Sequence, residues 1–439
     1  MYRLLGLLAA AWLAGCGDEV SGHLDGSIYS GSPPPPYSGH FCELPGSEVH
    51  SGGGIVRIPG GVSTPDLHWL SVPDGFCVHY FGNVGNTRQL AFAPGGELFV
   101  ASPTTPTTGG GPNGKSAIVV LPDDDRDGVA DAPLTFLPNL PSTQGLLFTG
   151  GFLYYQDSTA ILRVPYKSGD RAPSGPSQPV ANISIYVSTG HWPKVLDVDD
   201  NGFIYVTNGG DQSELCDPSR PFHGGLLRLD GKPGGTPIAK GFRNPIAIRC
   251  QRGHDRCFVA ELALDYSADT GGREKLVQVH EGDDWGFPCC ATTNLPYMGV
   301  QPVPDCSKIA PESNSFVIGE TPFGLDFDLG AWPVPWTNRI FVTLHGDFGT
   351  WHGARMVAVE TDANGAPLPS TDLTGGHTPP GALMDFATGW DDGTHAHGRP
   401  AALAMAPDGR LFLGNDVNGD IVWIAPALNP PPVDAGASD

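Results

Sequence analysis

The chain is 439 residues long and carries a net charge of −23. That acidity repels phosphate backbones and anionic headgroups, which excludes nucleic acid as a partner and excludes membrane binding through a basic face. Charged residues make up only 16% and hydrophobic ones 40%, with 61 Gly and 44 Pro, so the composition describes a large core cut by many turns rather than long solvated helices.

Met1-Tyr2-Arg3 followed by the apolar run Leu4 to Ala14 reads as an export signal, cationic at its start and too short to span a bilayer. Its end, Leu13-Ala14-Gly15-Cys16, resembles the lipobox of bacterial lipoproteins. The resemblance implies that Cys16 is lipidated, that residues 1–16 are the signal segment, and that the exported chain touches membrane only through the lipid, on the periplasmic or cell-surface side. An ordinary secretory signal is the alternative. Residues 17–75 form a Gly/Ser/Pro-rich tether and N-terminal extension, with the tether proper ending in Pro33 to Pro36.

Nine cysteines less Cys16 leave eight, an even number in a compartment that permits disulfides. Cys250 and Cys257 flank a short polar turn and would bridge the two strands of a hairpin. Cys42 with Cys77, and Cys216 or Cys306 with the vicinal Cys289 and Cys290, are the remaining pairings to expect. A zinc site is the rival, but no paired Cys-x-x-Cys supports it.

Strands are expected from Phe76 onward. Leu90 to Val100, Val195 to Val206 and Leu403 to Leu413 share one phrase: an apolar strand, a turn ending in Gly, and a second apolar strand. Related starts at Gly145, Pro245 and Phe323 give a spacing of roughly fifty residues, in the range of propeller blades, stretched by insertions later in the chain. Each unit ends on a further apolar strand, such as Ala117 to Leu121 or Asp420 to Ile424. The expectation is an all-β, six-bladed β-propeller over residues 76–425, closed by pairing of Phe76 to Phe81 with the last blade. A disordered tail over 426–439 follows.

Gly109-Gly110-Gly111-Pro112-Asn113-Gly114-Lys115-Ser116 has the spacing of a phosphate-binding loop, yet a strand follows it where such a loop opens a helix, so the match is coincidental. Asp123, Asp125 and Asp127, with Gly128 and then Asp131, set carboxylates at alternate positions of a turning loop. That pattern suits a structural Ca2+ site; the plain alternative is a solvated acidic turn. His191 stands just ahead of the hairpin that begins at Val195, where a propeller would bring it to the mouth of the central channel. His345, His352, His395 and His397 lack metalloprotease spacing.

Five phrases are similar to the soluble quinoprotein glucose and sorbosone dehydrogenases. They are Gly190-His191-Trp192 with its hairpin, Gly241-Phe242-Arg243-Asn244-Pro245, the run from Gly282 to Pro288, Phe341 to Gly346, and Gly398-Arg399-Pro400. The resemblance spans about Phe76 to Ile424. It implies a six-bladed propeller that binds pyrroloquinoline quinone (PQQ) and Ca2+, oxidises a sugar or aldehyde, and passes electrons to a separate acceptor. His191 then matches the general base and Arg243 the cation beside the quinone. Asn244 and Asp211 are candidates for holding the cofactor or its metal, and Arg399 for meeting a cofactor carboxylate. Two departures stand out: leucine and alanine in Glu261 to Asp265, where the family's calcium turn would fall, and no counterpart of the lysine that faces the cofactor. The alternative is a propeller of the same ancestry that binds a glycan or protein without catalysis.

Overall fold

Three turns share one chemistry and one geometry. In Ala93–Glu97, Asp199–Phe203 and Ala406–Arg410 the first residue's amide donates to the fifth residue's carbonyl. The fourth residue, Gly96, Gly202 or Gly409, takes a φ of 96°, 83° or 89°, which a side chain resists. The computed structural model describes residues 39–103, 116–183, 191–210, 215–217, 224–328, 330–369 and 381–428. In it each of these turns joins the first two strands of a four-stranded antiparallel unit.

Two strands, β1 (Glu48–Ser51) and β2 (Gly54–Arg57), precede β3 (Phe76–Asn83). The first blade is then β4 (Gln89–Phe92), β5 (Leu98–Ser102), β6 (Ala117–Leu121) and β7 (Leu134–Pro138). The second is β8 (Leu146–Thr149), β9 (Phe152–Asp157), β10 (Ala160–Pro165) and β11 (Gln178–Asn182). The third is β12 (Leu196–Val198), β13 (Ile204–Asn208), β14 (Gly225–Leu229) and β15 (Thr236–Lys240). The fourth takes β16 (Asn244–Gln251), β17 (Arg256–Leu262), β18 (Glu274–Val279) and, beyond a small hairpin of β19 (Cys290–Thr292) and β20 (Leu295–Pro296), β21 (Asn314–Phe316). The fifth is β22 (Pro322–Phe327), β23 (Ile340–Leu344), β24 (Arg355–Val359) and β25 (Leu383–Ala387). The sixth is β26 (Arg399–Met405), β27 (Leu411–Asp416) and β28 (Asp420–Pro426), completed by β3.

The expected six-bladed ring and its closure are both present. β28 pairs with β3 through Ile424↔Val78 and Ala425↔Cys77, so the two ends of the propeller share one blade. The expectation that strands begin at Phe76 needs correcting. β1 and β2 extend the last blade to six strands, with Glu48 opposite Val78, and the Cys42–Cys77 disulfide fastens this extension to β3.

The second strands read as continuous apolar runs because both of their faces are buried. In β5, Leu98 and Val100 enter the core shared with the sixth blade, while Phe99 and Ala101 enter the core shared with the second. The same partition repeats round the ring, and each fully buried Val, Leu or Phe side chain contributes about 1.5–3 kcal/mol. The expected Cys250–Cys257 and Cys42–Cys77 disulfides form, and the pairing left open among the other four resolves as Cys216–Cys289 and Cys290–Cys306. Among the described residues no helix is long and apolar enough to cross a membrane.

Candidate active site

First strands of neighbouring blades touch one another round the ring, β4 with β8 and β26, and β12 with β8 and β16. They therefore line the channel, and residues just ahead of them gather at one mouth. His191 is there, buried on the loop leading into β12. Its Nδ1 lies 2.9 Å from the carbonyl oxygen of Gly210. A carbonyl can only accept, so Nδ1 carries the proton and Nε2 is the nitrogen with the lone pair. The approach requires glycine at 209, where a Cβ would come within 2.3 Å of the His191 Cβ.

Gly210 also connects His191 to Arg243, because its amide donates to the Arg243 carbonyl at 2.6 Å. Arg243 precedes β16, and its Nη1 donates to the Ala263 carbonyl at 2.9 Å. Its amide donates to Glu261 Oε1 at 2.5 Å. Glu261 is fully buried. Burial raises its carboxyl, against the pull of Lys275 and Arg243. Glu274 Oε2 accepts from the Ala263 amide at 2.6 Å. Glu261 of β17 thus holds the Arg243 backbone, and Glu274 of β18 holds the Ala263 peptide that takes its guanidinium. Asn244, the first residue of β16, has a buried Oδ1 with no partner among the described residues.

A second cluster adjoins the first. Arg88, one residue ahead of β4, sets its guanidinium 5.8 Å from the Trp192 ring centroid and 4.4 Å from that of Phe323. It pairs with Asp416 at 2.7 Å. The same Asp416 oxygen lies 2.9 Å from His345 Nε2 at the end of β23. Burial pushes the Asp416 carboxyl up, but the neighbouring His345, Arg88 and Arg399 outweigh it and hold it well below the usual carboxylate range. Burial takes the His345 imidazole down to about 4, so it is neutral at ordinary pH. Arg399 donates through Nε to the His345 carbonyl at 2.8 Å and through Nη2 to that of Gly346. The edge expected to clamp a carboxylate is thus occupied by backbone.

Sequence reasoning singled out neither Arg88 nor Asp416; it grouped His345 with the loop histidines but set it at a strand end facing this mouth, where it is found just after β23. Gln144 was missed as well. It is fully buried ahead of β8, and neither polar atom of its amide has a partner among the described residues. Gln156 ties it to the His191 loop, its Oε1 accepting from the amides of Gln144 and Lys194 and its Nε2 donating to the Trp192 carbonyl at 2.9 Å. The available signal was glutamine inside an apolar run, Gln144-Gly145-Leu146-Leu147. Lys194 seals the loop from below, with Nζ 3.2 Å from the carbonyls of both His191 and Trp192. Burial pushes its ammonium down to about 8.

The acidic loop lies elsewhere. Ligand atoms of Asp123, Asp125 and Asp127 fall within 4.8 Å of one another, and Asp123 Oδ1 is buried without a partner among the described residues. Asp131 turns instead to the Asp124 amide, accepting at 2.9 Å, and so closes the loop. The loop packs on the outer strand of the sixth blade, with the Ala130 amide on the Phe81 carbonyl. Asp211, Cys16 and most of the phosphate-loop look-alike lie outside the described residues.

No family model and no curated protein matches the sequence. Solved structures do match the fold. A calcium structure of a Trichoderma reesei family AA12 carbohydrate-active enzyme superposes with a TM-score of 0.64 at 17% identity, covering 81% of this chain and 97% of that one. The holo PQQ domain of pyranose dehydrogenase from Coprinopsis cinerea gives 0.64 at 16% identity, covering 81% and 97%. The PQQ-bound aldose sugar dehydrogenase of Streptomyces coelicolor gives 0.51 at 15%, covering 81% and 99%. The chain shares its propeller fold with those proteins over nearly their whole length.

Proposed function

We propose that the protein is an exported quinoprotein dehydrogenase, lipid-anchored through Cys16, that oxidises a sugar or aldehyde with PQQ and hands the electrons to a separate acceptor. One observation carries the reading: the Gly210 peptide accepts from His191 Nδ1–H through its carbonyl and donates to Arg243 through its amide. That arrangement leaves Nε2 as the basic nitrogen of a channel-mouth imidazole and ties its loop to the Arg243 backbone, while the Arg243 guanidinium is held by the Ala263 carbonyl.

The residues present suit the cofactor. PQQ is an anionic, planar quinone, and this end of an otherwise acidic molecule offers Arg88 and Arg243, together with the Asn244 Oδ1 and the Gln144 amide, which have no partner among the described residues. When bound, PQQ supplies an electrophilic carbonyl carbon that takes hydride. This chain's part is to bind, orient and move a proton. His191 Nε2 accepts the substrate hydroxyl proton as the C–H hydride departs, which requires the imidazole to be neutral. Arg243 provides a positive charge, held in place by Ala263, where negative charge develops. Asp123, Asp125 and Asp127 are the proposed Ca2+ ligands, remote from this chemistry. Asn244 and Asp211 remain proposed holders of the cofactor or its metal.

The non-catalytic reading has one observation in its favour: Glu261, at the start of the turn where the resemblance implies calcium, accepts from the Arg243 amide, and the turn's Ala263 amide is taken by Glu274 of β18. Reconstitution with PQQ and Ca2+, followed by cofactor absorbance and by dye reduction across a panel of sugars and aldehydes, separates the two. Quinone binding with turnover supports the dehydrogenase. Folded protein that takes up no quinone leaves a glycan- or protein-binding propeller.

A further inference from the structure

The N-terminal extension contains a cluster of ligating groups far from the channel. Glu48 opens β1 and is fully buried. Its Oε1 is satisfied, accepting from Arg57 Nη1 at 2.7 Å and from the Leu67 amide at 3.1 Å. Its Oε2 has no hydrogen-bond partner among the described residues, and it faces His68 Nε2 at 3.8 Å. That gap exceeds hydrogen-bond reach but is just under the sum of two metal–ligand bonds of about 2.0–2.1 Å.

The rest of the cluster is prepared for an ion. His68 Nδ1 lies 2.8 Å from Asp66 Oδ1. A carboxylate can only accept, so Nδ1 holds the proton and Nε2 presents its lone pair toward Glu48. Carboxylates orient metal-bound histidines in this manner. Ligand atoms of Glu48, Asp66 and His68 lie within 4.8 Å of one another. A separate observation comes from His50, which alternation sets on the same face of β1 as Glu48. It is 6% exposed, and its Nε2 has no partner among the described residues.

We propose that Glu48 and His68, with Asp66 orienting the imidazole or adding an oxygen, bind a divalent transition-metal ion of the Zn2+ class. Imidazole with carboxylate favours such an ion over Ca2+, which takes oxygen ligands almost exclusively. Two protein charges of opposite sign, Glu48 and Arg57, cancel locally, and Asp66 leaves the cluster net negative. Asp66 and His68 are exposed, so the ion has access and room for water ligands. Its effect is to fasten the segment after β2 to β1, stapling the extension to the closing blade.

The test uses the full chain, stripped with chelator, with Asp125→Asn added to silence the acidic loop. Titration calorimetry with ZnCl2 is expected to give about one equivalent bound, with a rise in Tm, while CaCl2 gives neither. In His68→Gln, an exposed position that leaves the Glu48–Arg57 pair intact, zinc affinity is expected to fall at least a hundredfold and the Tm rise to vanish. Folded protein that takes up no zinc, or that binds it equally well in His68→Gln, overturns the proposal.

Discussion

The tautomer of His191 makes a prediction that a merely channel-lining histidine does not. With Nδ1–H committed to Gly210, replacing His191 with Gln or Ala removes the base without disturbing the core, and turnover should fall by about 2–4 orders of magnitude in reconstituted protein. Wild-type rate should also decline toward acid pH as Nε2 is protonated, and that limb should be absent from the residual rate of His191→Gln. Arg243→Lys keeps the charge but loses the fork that reaches Ala263, so quinone affinity and turnover should both weaken. Lys194 provides a stability readout at the same loop. Its folded pKa, about 8, lies below the unfolded value of about 10.4. Between these values the unfolded chain binds more protons, so this group destabilises the fold below about pH 8, and the penalty is relieved as pH rises toward 10. Chemical denaturation at pH 7.5 and 10 should show wild type gaining stability relative to Lys194→Met; parallel behaviour would refute the buried charge. The proposed catalytic pair stands out in the sequence because each residue sits in a distinctive phrase, and His345 because it ends an apolar strand. Arg88 and Asp416 do not, since they come from two other blades and meet His345 only when the ring closes.

The hairpins were legible because their turns need glycine and their strands run apolar on both faces. The fourth strands of the first five blades were not, whereas β3, the sixth blade's fourth strand, was. β7 exposes Leu134 and Thr135 and buries only Phe136, and β11 buries only Ala181, because an outermost strand packs mainly on one side. β2, the outermost strand of its sheet, was hidden for the same reason, and β1, although buried, because its polar Glu48, His50 and Ser51 run into Gly52 and Gly53 in a Gly-rich stretch that reads as tether. Disulfides divide these elements by the length of chain that they constrain. Cys42–Cys77 spans a sequence separation of 35 and Cys250–Cys257 one of 7. Chain-entropy estimates for loops of those lengths are about 4 and about 2 kcal/mol. Replacing both cysteines of each pair with serine should therefore lower stability more for the first pair, and should expose β1 and β2 to limited proteolysis. Equal losses, or an extension that stays protected, would show that β1 is held by its pairing to β3 alone.

At the scale of the molecule, closure of the ring lies next in the chain to the proposed export signal and lipid anchor. β3, near the start of the described chain, completes the blade formed by β26, β27 and β28, so the strand that closes the ring is also the one bearing the extension and the tether beyond it. A lipid at Cys16 would hold the propeller by its closing blade, through a Pro-rich segment that sets a distance from the bilayer. Attachment by one acyl chain is marginal and reversible, whereas the several chains of a lipoprotein give stable anchoring without any spanning helix. The net charge of −23 adds no attraction to an anionic surface, so the lipid must supply the whole affinity. Wild-type protein expressed with its signal should therefore fractionate with membranes in both low and high salt and carry acyl chains detectable by mass spectrometry of its N-terminal peptide. Cys16→Ser should lose the lipid and leave the membrane fraction, while the folded propeller reconstitutes with PQQ as wild type does. A wild-type chain recovered wholly soluble and without lipid would refute the anchor and leave the propeller's chemistry untouched.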